Sequence, residues 1–107
     1  MLYRRNHVAG GTYFFTVTLR NRSSDALVQN IDLLRDSFRS VRTERAITID
    51  AFVILPEHLH TIWTLPEGDA DYSGRWQAIK SRFKHALRTT GVSLIRDNRQ
   101  ERNYFSD

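Results

Sequence analysis

The chain contains no cysteine and only two prolines. Without cysteine it cannot form disulfides, thiolate zinc sites or a cysteine nucleophile, and this composition fits a reducing compartment. No apolar stretch approaches the roughly 18 residues that identify a membrane-spanning helix. The first seven residues include arginines, but no apolar segment follows them, so they do not predict a signal peptide. We therefore expect a cytoplasmic protein that makes no contact with a membrane.

The 107 residues carry enough apolar side chains for one modest core, together with an excess of positive charge. Hydrophobic residues make up 40% of the chain and aromatic residues 11%, which predicts a single domain over residues 1–107. The net charge is +4 and the sequence pI is about 10.0. A basic excess favours polyanionic partners, chiefly nucleic acid.

Apolar periodicity divides the chain into strands and helices. Alternation predicts strands over residues 12–20, 46–55 and 58–65, with a weaker strand signal at 92–95. Spacings of three and four predict helices over residues 30–44 and 73–88, with Asn30 and Ser73 as their N-caps. In the second strand, one face is expected to carry Ile47, Ile49, Ala51, Val53 and Leu55.

The resulting order, β-α-β-β-α, is that of ferredoxin-like and RNA-recognition folds. It predicts an α+β, two-layer sandwich in which two helices cover one face of an antiparallel sheet and leave the other face open. The first and third strands should be central, so the third strand would hold its side chains rigidly.

Two histidines, His58 and His60, flank one leucine at the start of this third strand. Because strand side chains alternate between faces, both imidazoles should project from the same face. Together with one oxygen ligand they could hold a divalent metal, and Mg²⁺ or Mn²⁺ would suit phosphate chemistry. The alternative is a pair of structural histidines that only form hydrogen bonds on the sheet surface.

The charged side chains of the second predicted helix are all positive, since no acidic residue lies between Asp71 and Asp97. Its basic residues include Arg75, Lys80, Arg82, Lys84 and Arg88. This pattern predicts contacts with nucleic-acid phosphates, although a solvated amphipathic helix would show a similar pattern.

The aromatic residues divide into core and stacking candidates. Periodicity places most of them in the core, namely Tyr13, Phe15, Trp63, Trp76 and Phe83. Phe14 and Phe52 lie on the minority faces of their strands and are candidates for stacking on bases. A tyrosine phenolate can attack a phosphodiester, but Tyr3, Tyr13, Tyr72 and Tyr104 all lack a convincing catalytic setting. Tyr72 is expected in a surface loop, and Tyr104 is a weak candidate.

Several motifs resemble one family closely. They are Tyr3-Arg4-Arg5, Gly10-Gly11-Thr12-Tyr13-Phe14-Phe15-Thr16-Val17-Thr18-Leu19, Leu55-Pro56-Glu57-His58-Leu59-His60, the segment that follows as far as Asp71, and Arg75 to Phe83. Over residues 3–88 the sequence resembles the REP-associated tyrosine transposases, which belong to the single-tyrosine, IS200-like branch of the HUH endonucleases.

The resemblance implies a nickase and strand transferase that acts on single-stranded DNA at hairpins of repeat elements. In this family a metal held by the histidine pair, here His58 and His60, activates the scissile phosphate. A tyrosine attacks it, which leaves a 5′-phosphotyrosine link and a free 3′-hydroxyl. The resemblance also implies DNA contacts by Arg4, Arg5 and the basic residues of 75–88, and a nucleoid-associated location.

The family places its nucleophilic tyrosine and a further metal ligand on a downstream helix, near an Asn-Pro-Val-Lys-His-Gly-like segment that is absent here. We therefore expect the last strand and the tyrosine helix to be missing or incomplete, and the nucleophile to lie beyond residue 107. Three hypotheses follow: a truncated transposase that binds DNA but does not cut alone, an enzyme that uses Tyr104 or a partner's tyrosine, and an inert nucleic-acid-binding module. The oligomeric state, monomer or homodimer, stays open.

Overall fold

The computed structural model describes the backbone of residues 2–3 and all atoms of residues 9–90. In chain order the elements are β1 (Leu2–Tyr3), β2 (Thr12–Thr18), α1 (Ala26–Gln29), α2 (Ile31–Glu44), β3 (Thr48–Ile54), β4 (His58–Thr64) and α3 (Tyr72–Thr89). The expected strand at 92–95 lies outside the described residues, as do Arg4, Arg5 and Tyr104. In the part that is described, no helix is long and apolar enough to cross a membrane.

The four strands form one antiparallel sheet in the order β1-β2-β4-β3. The predicted α+β sandwich is confirmed, and the strand that carries the histidines lies between two neighbours. The register places Thr18 opposite His58 and Thr16 opposite His60. Backbone pairing on both sides therefore fixes the positions of the two imidazoles.

One face of the sheet is covered by α2 and α3. Alternate residues of β2 and β4 point into this layer because a strand has a side-chain period of two. The buried cluster joins Tyr13, Phe15, Val17, Leu59 and Trp63 of the sheet to Leu34, Phe38, Val41, Trp76, Ile79, Phe83 and Leu87 of the helices. The five aromatic residues predicted for the core are all buried.

A β-bulge in β3 overturns the predicted alternation of this strand. Ile49 pairs with Trp63, but the next pair on β4 is Ala51 with Ile62, so Asp50 is the extra residue. A bulge reverses the side-chain parity beyond it. Phe52 consequently packs into the core at 4.8 Å between its ring centroid and that of Phe38, and its prediction as a base-stacking residue is wrong.

The helix starts also differ from the sequence prediction. Asn30 occupies the N-cap position of α2, but its side chain donates to the Ala26 carbonyl of the short helix α1 instead of capping α2. Helix α3 begins one residue earlier than predicted and is capped by Asp71, whose side chain accepts from the Gly74 N–H, and not by Ser73. Tyr72, expected in a surface loop, is buried in consequence.

Candidate functional site

The uncovered face of the sheet carries the histidine pair. Opposed residues of β2, β4 and the segment 48–55 form rows across it. The rows are Thr12–Thr64–Thr48, Phe14–Ile62–Ala51, Thr16–His60–Val53 and Thr18–His58–Leu55. His58 and His60 are half-buried and neighbour each other on β4, with 5.0 Å between ring centroids. The predicted common face for the two imidazoles is confirmed.

Each imidazole is held through its Nδ1 atom. His58 Nδ1 lies 2.8 Å from Glu57 Oε1, and His60 Nδ1 lies 3.0 Å from Thr16 Oγ1. In the described part of the chain, no hydrogen bond is made by the Nε2 atom of either ring. A partner on one ring nitrogen fixes the orientation of a metal-ligating histidine. The two Nε2 atoms are thus the ones presented for coordination.

The turn before His58 explains how Glu57 reaches its imidazole. The Leu55 N–H donates to the His58 carbonyl at 2.8 Å, which closes the tight link between β3 and β4. The Glu57 carbonyl accepts from the Leu19 N–H at 2.8 Å, so the turn is tied to the end of β2. These two bonds hold Glu57 at the rim of the open face. Sequence reasoning missed its role, although a carboxylate next to a histidine pair is a detectable signal.

The residues present fit a divalent metal that takes two protein nitrogen ligands. Residues 9–90 contain no group of three or more histidine, aspartate or glutamate side chains that could hold a metal ion. Glu57 orients His58, so any further ligand has to come from water, from DNA or from residues outside those described. A site with few protein ligands leaves coordination positions for a phosphate oxygen.

Arg75, predicted to contact DNA, is instead a structural residue. Its side chain is 3% exposed and makes a bidentate ion pair with Asp69, with Nη–Oδ distances of 2.8 and 3.0 Å. Its Nε donates to the Ala46 carbonyl and Nη1 donates to the Asp71 carbonyl. The pKa of Asp69 falls to about 2, mainly through its side-chain hydrogen bond with Arg75. The guanidinium is therefore engaged inside the protein.

The remaining predicted basic residues of the helix lie on α3, which packs on the covered face of the sheet. Arg82 bonds to Ser40 and forms an ion pair with Glu44, both on α2. Lys80 and Lys84 are partly exposed, and Arg88 is exposed. The structure does not bring these residues together with the histidine pair, because the sheet lies between them.

Comparison with known proteins gives the same family as the motifs. A REP-associated tyrosine transposase of Escherichia coli K12 is 54% identical over 84 residues, which are 78% of this chain and 51% of the relative. A putative REP-associated tyrosine transposase of Haemophilus influenzae is 34% identical over 85 residues, 79% of this chain and 48% of the relative. The chain is a homologue of the REP-associated tyrosine transposases. The resemblance seen in the sequence is thereby confirmed.

Structural comparison supports the same assignment. A REP-associated tyrosine transposase, solved bound to a REP hairpin, matches with a TM-score of 0.79 and 44% identity. The match covers 99% of this chain and 57% of the solved chain. No model of a protein family matches the chain. This transposase homologue spans about half the length of the curated relatives that it matches.

One further cation, Arg20, lies at the end of the sheet where His58 lies. It is exposed and comes two residues after Thr18, the last residue of β2, which is opposite His58. Arg20 was predicted only as the last residue of the first strand. The signal that could have found it is an arginine at a strand end that topology places beside the histidines.

Proposed function

We propose that this transposase homologue binds single-stranded or hairpin DNA and holds one phosphate at a divalent metal between His58 and His60. The observation that carries the proposal is the pair of imidazoles on one open sheet face, each held at Nδ1. Its 44% identity with a transposase solved on a REP hairpin supports DNA as the polyanion that the net charge of +4 indicates.

Mn²⁺ fits the proposed site better than Mg²⁺. Imidazole nitrogen is a softer donor than oxygen, and Mg²⁺ prefers all-oxygen coordination. When bound, the ion would polarise a phosphoryl oxygen as a Lewis acid. The protein's own part is to fix the two rings through Glu57 and Thr16, so that coordination requires little rearrangement.

The described tyrosines do not supply the nucleophile. Tyr13 is 1% exposed and Tyr72 is 4% exposed, and both belong to the core beneath the helices. A phenol buried there cannot reach a phosphate on the opposite face. Tyr3 and Tyr104 of this sequence also lack a convincing catalytic setting. We therefore propose that the chain alone binds DNA without cutting it, and that cleavage needs a tyrosine other than these four.

A covalent-adduct gel tests this proposal. The full chain is incubated with Mn²⁺ and a labelled REP hairpin that carries single-stranded tails, and the products are separated under denaturing conditions. We expect a DNA complex in a native gel but no covalent band. A covalent band that disappears in Tyr104→Phe would contradict the proposal and favour an enzyme that uses Tyr104.

The competing function is a nucleic-acid-binding module with structural histidines. The two hydrogen bonds at Nδ1 are equally compatible with that function. The double variant His58→Ala, His60→Ala separates the two functions. Under our proposal the variant loses Mn²⁺ binding in calorimetry while its fluorescence reports a folded core. Unchanged Mn²⁺ and DNA binding in this variant would favour the module.

A further inference from the structure

Phe14 is an aromatic ring exposed beside the histidine pair. Its side chain is 43% exposed, whereas the other phenylalanine, tyrosine and tryptophan rings of residues 9–90 are buried or partly buried. An exposed aromatic ring on the central strand of a sheet is costly to leave in water. Phe14 therefore calls for an explanation beyond the packing of the core.

The ring of Phe14 is aligned with that of His60. The two centroids lie 5.8 Å apart and the ring planes are within 14° of parallel. Stacked rings touch at about 3.5 Å, so at this centroid distance the two rings are offset. An offset leaves a face of Phe14 open next to the imidazole.

The surroundings of Phe14 suit a flat, apolar ligand attached to an anion. Of the four large apolar side chains exposed within residues 9–90, three lie on this face, namely Phe14, Val53 and Leu55. The nearby acids are engaged, since Glu57 bonds to His58 and Asp50 accepts from Thr64. Exposed apolar patches of this kind mark binding sites, and here a phosphate site borders the patch.

We propose that Phe14 is a stacking platform for the nucleobase next to the phosphate held at His58 and His60. This inference rests on the proposed function, because it places DNA on the open face. Single-stranded nucleic acids bind by stacking bases on exposed aromatic rings. Because Phe14 and His60 lie 5.8 Å apart, we assign the stacked base to a nucleotide bonded to that phosphate.

The test is a coupling experiment between the ring and one base. The probe is a REP hairpin with single-stranded tails, in which an abasic site replaces each tail nucleotide in turn. Binding of the stem fixes the position of each tail nucleotide on the protein. Affinities for the full chain are measured by fluorescence anisotropy at one salt concentration. In the unmodified protein we expect one abasic position to weaken binding about five- to tenfold.

Three variants make the result specific to stacking. Phe14→Leu keeps an apolar side chain without a flat ring, and it should abolish the penalty at that one position. Phe14→Trp should retain the penalty. Val53→Ala, the matched control on the same face, removes exposed apolar surface without removing a ring, and it should leave the penalty unchanged. Tryptophan fluorescence confirms that each variant is folded.

The outcomes separate this inference from the function on which it rests. Binding that no single abasic site weakens would leave DNA binding intact and overturn the stacking role. The same would follow if Phe14→Leu kept the penalty, because a group other than Phe14 would then contact that base. A protein that binds neither intact nor abasic hairpins would overturn both proposals.

Discussion

The ion pair between Arg75 and Asp69 should control the stability of the domain. The Arg75 guanidinium is almost completely removed from solvent, and within residues 9–90 Asp69 is its only charged hydrogen-bond partner. Replacing Asp69→Asn preserves size and removes the negative charge. It leaves a buried cation with only carbonyl and amide oxygens as partners.

The expected cost follows from burial. Removing one partner of a buried ion pair costs about 3–5 kcal/mol. Asp69 itself is 33% exposed, and solvent screening lowers the loss to about 2–3 kcal/mol. For a domain of this size the melting temperature should fall by roughly 10 °C or more.

The loss should also depend on pH. The folded protein depresses the pKa of Asp69 from its ordinary 3.8 to about 2, first through the side-chain hydrogen bond to Arg75. A depressed carboxyl pKa contributes stability above the unfolded value, and this contribution is lost as pH falls through the folded value. The difference between the two proteins should therefore be complete at neutral pH and shrink below about pH 4.

Urea unfolding followed by tryptophan fluorescence measures this difference, because Trp63 and Trp76 are buried and stacked at 4.5 Å between centroids. The matched control is Asp71→Asn, which breaks an exposed ion pair with Arg45 and should cost less than about 1 kcal/mol. Asparagine can still cap α3. Equal losses in the two variants, or a loss for Asp69→Asn that is unchanged by acid, would refute the reasoning.

Three further predictions concern the bulge, the metal and the DNA. Phe52→Asn should destabilise by about 2–4 kcal/mol and Val53→Asn by under about 1 kcal/mol in thermal melts; the reverse ranking would contradict the bulge. Glu57→Ala should lower Mn²⁺ affinity about tenfold in calorimetry, with Asp50→Ala unchanged as its control, and equal effects would argue against orientation of His58. Arg88→Gln should reduce the slope of log binding constant against log salt concentration by about the amount of one phosphate contact. An unchanged slope would show that Arg88 does not contact the hairpin.

The parts of the fold that sequence predicted are those that local periodicity determines. In β2 and β4 the largest apolar residues keep one parity throughout, with only Phe14 and Ile62 on the opposite face, so strand, buried face and histidine face all follow from one rule. In β3 the same rule failed because apolar residues occupy both parities. Asp50 carries no local mark of a bulge; the choice of face was decided by packing of Phe52 against Phe38.

The site shows the same division between local and long-range determinants. Strand alternation placed His58 and His60 together, but Thr16, the partner of His60, lies 44 residues earlier in the chain. Arg75 looked like the other cations of its helix, since sequence spacing cannot show that Asp69 and two carbonyls enclose it. Partners brought by tertiary structure decided which polar residues are structural.

Under the proposed function, the arrangement of charge offers a path for DNA past the sheet. Helix α3 begins over Tyr13, at the end of the sheet far from His58. A rise of about 1.5 Å per residue carries Lys84 and Arg88 away from that end. Arg20 follows β2 at the end where His58 lies. A strand of DNA with one phosphate at the histidines would thus meet Arg20 at the sheet end before it reached the last turns of α3. Both faces of the sheet can therefore contact one DNA ligand, although no residue of α3 borders the histidine pair.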